Sequence, residues 1–461
     1  MPDELKQPDI TRYKKNGDYY IKDIRITSPA LDSGGYSLIT GHQGRGGIWS
    51  HLEIYENIED NYVSGELTVE DGQNLLVHLP IIGQETLTIE YITPGVDSEF
   101  VKQTFIIYKI GSRLIHKEGQ KYQLYKLHFC SPEKMSDLQI KVHQSYNGTI
   151  SDTVKKIWKT NFQNTITPLI DVTPSENIHR FIIPYWTPFQ TINWLADRAV
   201  PKSDKNNPNY LFFANTDGYH FVTLAELMSR PVMVEYTNYP TRNRSDTGGI
   251  RDFRDEYLNV ISPPKFLNTV DKMSDVQNGM FSSELYVHDI KRKTFERKDI
   301  YSYVDNFKKE YHLEEYPTLS SKDITGLCSK PANRLFYPTH HNMHDPIEDN
   351  NVSEDWLLKR RSLMEQRQTN RININVWGDS RRRVGEIVKF YHPSMEPIRP
   401  GDEKIFDAQT TSKYMISQIK HIFTKERHQM WMTLTRDSLP TAVTEKAEIK
   451  GSKKPNPSSF Q

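Results

Sequence analysis

Glu66-Leu67-Thr68-Val69-Glu70, Thr86-Leu87-Thr88-Ile89-Glu90-Tyr91 and Tyr122-Gln123-Leu124-Tyr125-Lys126-Leu127-His128-Phe129 decide how this chain reads. Each alternates a polar with an apolar residue. That period of two puts one row of side chains on a core and the other on a wet face, the mark of strands in an antiparallel sheet or barrel. Turn signals divide them: Ser33-Gly34-Gly35, Asp71-Gly72, Thr93-Pro94-Gly95 and Gly111-Ser112. From Tyr19 to about Phe129 the chain therefore reads as β. No Gly-rich loop leads from a strand into a helix, which argues against a nucleotide-binding α/β start.

Downstream the pattern becomes mixed. Val154, Ile157, Trp158 and Phe162 have helical spacing. Thr187-Pro188 opens a second helix, with Thr as N-cap and Pro in the first turn. Tyr210-Leu211-Phe212-Phe213 and Tyr219-His220-Phe221-Val222 flank Asn215-Thr216-Asp217-Gly218, which predicts a tight hairpin. A short helix is expected over 223–228. Residues 250–316 read as partly helical and charge-dense, and residues 317–352, with four prolines, as loop. Ser353-Glu354-Asp355 caps a helix running to about Asn370. Alternation returns at Ile372, Ile374 and Val376, then at 384–390, and closes with a hairpin of 414–423 and 429–436. The predicted organisation is a flexible N-terminus (1–18), a first β domain (19–145), a mixed α/β middle (146–364), a second β domain (365–440) and a disordered tail (441–461). The expected fold class is α+β and β-rich.

The chain has 461 residues, with 59 Lys+Arg against 59 Asp+Glu. A balanced charge argues against a bulk nucleic-acid binder. Hydrophobic content of 36% and a mean hydropathy of -0.69 argue against membrane insertion, and 11% aromatic residues argue for packed cores. Met1-Pro2-Asp3-Glu4 does not read as a secretory signal. Cys130 and Cys328 are the two cysteines, too few for a disulfide framework.

Charge is uneven along the chain. Residues 51–100 hold eleven acidic side chains and no Lys or Arg. A solvated sheet face is one reading. The other is a wall that gives a passing polyanion no cation to grip, so no counterions are released and nothing binds. Glu53, Glu56, Glu59, Glu66, Glu70, Asp71, Glu85 and Glu90 are the candidates for such a lining. Lys291-Arg292-Lys293 and Arg381-Arg382-Arg383 are the basic clusters, expected either to pair with a neighbouring subunit or to form exposed turns.

Catalytic signatures are missing from the sequence. His340, His341, His344 and Asp345 have irregular spacing, unlike the i, i+4 pair with an adjacent Glu of a zinc helix. Gly-x-Ser-x-Gly does not occur. Gly41, Gly44, Gly46 and Gly47 lack the Lys-Ser or Lys-Thr and the helix of a phosphate cradle. Cys130 reads as a small buried apolar residue. The aromatic run from Tyr185 to Leu195 lacks interleaved cations, so helix packing is a better account of it than base stacking. No metal, cofactor or catalytic residue is expected.

The run Tyr185-Trp186-Thr187-Pro188-Phe189-Gln190-Thr191-Ile192-Asn193-Trp194-Leu195 resembles a segment of the baseplate hub proteins of T4-like contractile-tailed phages. So do Tyr210 to Phe221, the stretches Leu67 to Gly72 and Leu79 to Glu85, and Tyr414 to His421 with Arg436-Asp437-Ser438-Leu439. Together these motifs span roughly 20–440. The resemblance implies two tail-tube-like β-barrel domains per chain and a homotrimeric ring with pseudo-sixfold symmetry. Such a ring joins the hexameric tail tube to the trimeric cell-puncturing spike, contacts baseplate wedge proteins and lets viral DNA pass without specific binding. It implies a structural role in the virion tail. The alternatives are a cell-wall hydrolase and another tail subunit such as a tube terminator.

Overall fold

A computed structural model describes residues 15–28, 35–40, 47–79, 81–94, 99–116, 122–163, 167–238, 257–290, 292–320, 326–331, 333–339, 356–394 and 406–442. The expectations for most of the N-terminus, the tail after Ala442, the loop of Gly41, Gly44 and Gly46, and the His340, His341, His344 and Asp345 cluster lie outside the described residues.

The protein is β-rich, with 46% strand and 17% helix among the described residues. The first β region supplies β1 (Tyr20–Thr27), β2 (Tyr36–Ser37), β3 (Trp49–Asn57), β4 (Ser64–Asp71), β5 (Thr86–Ile92), β6 (Val101–His116) and β7 (Tyr122–Cys130). All are antiparallel, in the order β3-β4-β7-β6-β5-β1-β2. The expected alternation is present: Leu67 and Val69 are fully buried while Glu66, Thr68 and Glu70 face outward. Gly65 is required at its place, because a Cβ there would collide with the Phe129 ring and the Glu53 carbonyl.

The middle of the chain adds β8 (Ser145–Gly148), β9 (Leu169–Val172), β10 (His179–Ile182), β11 (Tyr210–Ala214) and β12 (Tyr219–Thr223). The hairpin of β11 and β12 turns at Asn215–Gly218, where Asn215 Oδ1 accepts from the Asp217 and Gly218 amides at 3.0 and 3.1 Å. The helix Pro188–Ala196 starts where Thr187 predicts, and the helix Ile150–Asn161 is capped in the same way by Thr149: each threonine accepts from a backbone N–H three residues on, at 3.2 Å. Phe189, Ile192 and Leu195 are buried against Trp158, Phe212 and Tyr219, in one core with the first β region.

Further on come β13 (Val232–Thr237), β14 (Ser262–Asn268), β15 (Ser282–Asp289), β16 (Thr294–Ser302) and β17 (Asn333–Thr339). The described residues of 250–316 hold the strands β14, β15 and β16 beside the short helices Lys272–Gln277 and Tyr303–Asn306 that the partly helical reading expects. One sequence expectation is corrected here. Residues 317–352, expected as loop, contain β17, which pairs in parallel with β15 over seven residues. Pro338 hides this strand in the sequence, yet an edge strand tolerates a missing N–H. The helix Leu357–Gln366 covers one face of this β16-β15-β17 sheet. The core there contains Phe281, Leu285, Val287, Tyr301, Tyr303 and Leu358.

The last β region has β18 (Asn370–Trp377), β19 (Ile387–Tyr391), β20 (Ser412–Thr424) and β21 (His428–Arg436). It takes β14 and β13 from the middle of the chain, β13 in parallel with β19. The long β20 makes the decisive connection. Its first half pairs with β19; its second half pairs with β3, from Gln418 opposite Asn57 to Thr424 opposite His51. One 13-stranded sheet thus runs through both β regions. Phe423 of β20 enters the first region's core against Tyr91 at 5.0 Å and Tyr19 at 5.5 Å. Burying a ring of that size contributes about 1.5–3 kcal/mol.

Candidate functional site: a sheet face that spans both β regions

Alternation on β3, β4 and β20 sends Leu52, Ile54, Leu67, Ile419 and Phe423 into the cores and His51, Glu53, Tyr55, Glu66 and Lys420 to the opposite face. Register places Glu53 beside Glu66, and Glu66 beside His128 of β7. Two carboxylates directly opposite one another repel. The fold answers with cations and donors from elsewhere in the chain. Lys420 Nζ lies 2.9 Å from Glu53, His51 Nε2 lies 2.8 Å from it, and the Tyr55 hydroxyl donates to it. Lys126 Nζ and His128 Nδ1 lie 2.9 and 3.4 Å from Glu66. Burial on its own would raise the Glu53 carboxyl, but the bonds from Lys420, Tyr55 and His51 hold it down to about 2. A groove on this face crosses the junction, lined by Tyr55, Asn373, Gln418, Lys420, Trp431 and Thr433.

The remaining acidic candidates divide by burial. Glu70 meets Lys425 at 3.1 Å, Glu59 meets Arg367 at 2.7 Å, and Glu90 meets Lys22 and Lys102 at 2.8 and 3.1 Å. The hydrogen bond from Lys22, aided by Lys102, lowers the Glu90 carboxyl. Asp71 and Glu85 are buried and hold loops: Asp71 accepts from the Gln73 and Leu75 amides at 2.9 and 2.7 Å, and Glu85 from those of Ile82, Gly83 and Gln84 at 2.9–3.1 Å. Glu56 is also buried. It accepts from the Thr216 amide and hydroxyl and, at 3.3 Å, from Val384 N–H. Burial raises the Glu56 carboxyl against the pull of the Arg383 charge. Glu56, Asp71 and Glu85 therefore face the protein interior, and a lining drawn from the eight loses them.

Charge that looks segregated in the sequence is balanced in space. The acidic strands β3 and β4 lie beside β7 and β20, which bring the lysines. The basic clusters behave likewise. Of Arg381-Arg382-Arg383 only Arg381 is exposed in a turn: Arg382 is buried between Asp379 at 3.2 Å and Glu386 at 2.9 Å, and the buried Arg383 reaches Asp217 at 2.9 Å. Of Lys291-Arg292-Lys293, Lys291 lies outside the described residues and Arg292 is 3.6 Å from Asp289.

Behind the face, the junction holds residues that sequence reasoning did not select. His421 and His428 are fully buried, with Nδ1 of the first 3.1 Å from Nε2 of the second. The His428 ring stacks on Phe423 at 3.9 Å. Burial pushes His421 down to about 3, and His428 is lowered by burial and by its neighbour. Gly378 makes room for the pair, since a Cβ there would strike the His428 ring. The signal available in the sequence was the inward phase of His421 on β20.

Among the described residues, no group of three or more His, Cys, Asp or Glu is placed to hold a metal ion, and no helix is long and apolar enough to cross a membrane. Cys130 is buried and its thiol is pushed up to about 11 by that burial.

No protein-family model matches the sequence. The probable baseplate hub protein gp334 of Vibrio phage KVP40 is 20% identical over 405 residues, covering 81% of this chain and 86% of that protein. The chain is a relative of phage baseplate hub proteins. Its fold is shared with a solved tail protein from Neisseria meningitidis MC58, at TM-score 0.50 and 14% identity, over 91% of this chain and 96% of that one. The 43 kDa tail protein of prophage MuSo2 from Shewanella oneidensis aligns over 91% of this chain and 100% of its own length, at TM-score 0.49 and 11% identity.

Proposed function

We propose that three copies of this chain form a ring at the centre of a contractile-tail baseplate in the virion. The ring joins the hexameric tail tube on one side to the trimeric spike on the other, with wedge proteins at its periphery. The observation that carries this reading is the β3–β20 pairing. It sets two sheet-rich modules side by side in one chain, so three chains offer six modules to a sixfold tube. The modules are drawn from residues 19–145 and 365–440, the second completed by β13 and β14. The role is structural, and no catalytic step is assigned to the chain.

The outer face of that shared sheet is the proposed wall of the DNA passage. Glu53, Glu66 and Glu70 engage Lys420, Lys126 and Lys425. Lysines already engaged in this way give a sliding phosphate backbone little to exchange for its counterions, so DNA passes without being held.

Sedimentation and negative-stain imaging of the purified chain, alone and with its spike, test the ring. A three-fold annulus with an open centre is expected; a hexamer, or a monomer that ignores the spike, overturns it. Changing Glu66, Glu70 and Glu90 together to lysine is expected to leave particles assembled and to impair DNA ejection. Normal ejection from such particles rules out the wall.

A further inference from the structure

The β16-β15-β17 sheet has one face on its core and one face open. A half-exposed sheet ordinarily shows polar side chains to water. Here the open face carries Tyr286, Phe295 and Phe336 with centroids 5.4–6.0 Å apart and ring planes within 12–27° of parallel. Phe295 is 58% and Phe336 65% exposed, and Ile300 on the same face is 48% exposed. An apolar cluster left in water at this density marks a contact surface.

Register sorts the charges as well. Arg297 stands opposite Tyr286, and Arg334 opposite Glu284, both on the open face. Glu296 and Asp299 of β16 pair with Val287 and Leu285, so they belong to the face that carries the core. The one carboxylate under the arginines, Glu284, is itself covered, with a side chain 6% exposed. It is shared by Arg297 at 3.3 Å and Arg334 at 3.2 Å, whose side chains are 55% and 64% exposed. Two cations on one covered carboxylate leave a positive charge outward. Aromatic rings with arginine are the composition of a protein-binding hot spot.

We propose that this face docks a protein partner whose contacting surface carries carboxylates around an apolar anchor. Charge complementarity selects the acidic partner. The aliphatic Ile300, opposite Glu284 on the same face, favours a protein over a glycan, which would seat on aromatic faces alone. The proposal holds whether or not the ring described above is formed.

Three immobilised peptides of equal length test it with the full chain in solution: one of Glu and Phe, one of Lys and Phe, one of Glu and Ser. The Glu/Phe peptide is expected to bind, and the other two to bind at least about tenfold more weakly. Phe336→Ser and, separately, Arg334→Ser each weaken Glu/Phe binding about tenfold. Wild-type binding also falls as salt rises, a readout that needs no variant to fold. Equal binding of the Lys/Phe peptide, binding of none, or retention of the chain by a peptidoglycan fragment in place of the peptide overturns the proposal. So does a change in the chain's own oligomeric state caused by Phe336→Ser, which would make a second copy the occupant.

Discussion

The two faces of the β3–β20 junction treat charge in opposite ways. On the outer face Glu53 is partly exposed and gathers Lys420, His51 and Tyr55, which keep it ionised. On the inner face, three residues along the same strand, Glu56 is buried and pushed toward its neutral form, with Arg383 as its nearest large charge. On the inward side of β20, the buried His421 and its neighbour His428 are held neutral by burial. A strand that alternates sides thus carries a solvent-tuned carboxylate and a burial-tuned one within three positions. The lesson is that a count of acidic residues says little until each is assigned a side.

Removing Arg383 attacks the buried side hardest. Arg383→Met is expected to cost about 3–5 kcal/mol, because the buried Glu56 loses its cation inside the protein. Urea unfolding of the variant measures this, and a midpoint equal to wild type would show that Glu56 is already neutral and needs no partner. Filling space comes next: Gly378→Ala forces the His428 ring to move and is expected to cost about 1–3 kcal/mol, read in the same assay.

Acid probes the histidine pair. Both imidazoles have folded pKa values below the ordinary 6.5, so the unfolded chain binds more protons than the folded one. Stability is therefore complete above pH 6.5 and falls as pH drops below it, toward about 3 for His421. Each neutral histidine contributes a slope of about 1.4 kcal/mol per pH unit in that window. The double variant His421→Asn, His428→Asn is expected to flatten the loss of stability between pH 6.5 and 5. An unchanged slope would assign the acid sensitivity to other groups. The smallest effect belongs to the outer face: Lys420→Met should cost no more than about 1 kcal/mol, since Glu53 keeps His51 and Tyr55. Its sharper readout is the Glu53 carboxyl itself, which should titrate at higher pH by carbon-13 NMR.

Much of the local structure was legible along the chain. Thr187-Pro188 and Asn215 to Gly218 act within a few residues, so their cap and turn could be read directly. The alternation in β4, β5 and β7 likewise needs only neighbours. What misled were elements whose partner is remote. The strand β17 looks like loop because its pairing with β15 lies about fifty residues away, and Pro338 masks it. Arg381-Arg382-Arg383 looks like a basic surface because Asp217, which receives Arg383, is more than a hundred and sixty residues distant. The acidic run 51–100 looks like a negative wall because Lys126, Lys420 and Lys425 are outside it.

Sequence alone determined that this protein is β-rich, that its strands have one wet and one dry side, and where the helix at Pro188, the short helix after Thr223 and the central hairpin begin, since these follow from side-chain periodicity and from hydrogen bonds closed over three or four residues. Tertiary structure alone decided that the first and last β regions share a single sheet, which acidic residues face water, and which charges cancel. Those outcomes depend on a pairing between Gln418–Thr424 and His51–Asn57. No local pattern encodes which remote strand an edge will accept, because backbone hydrogen bonds are alike along every strand and the choice is made by the cores that close on either side.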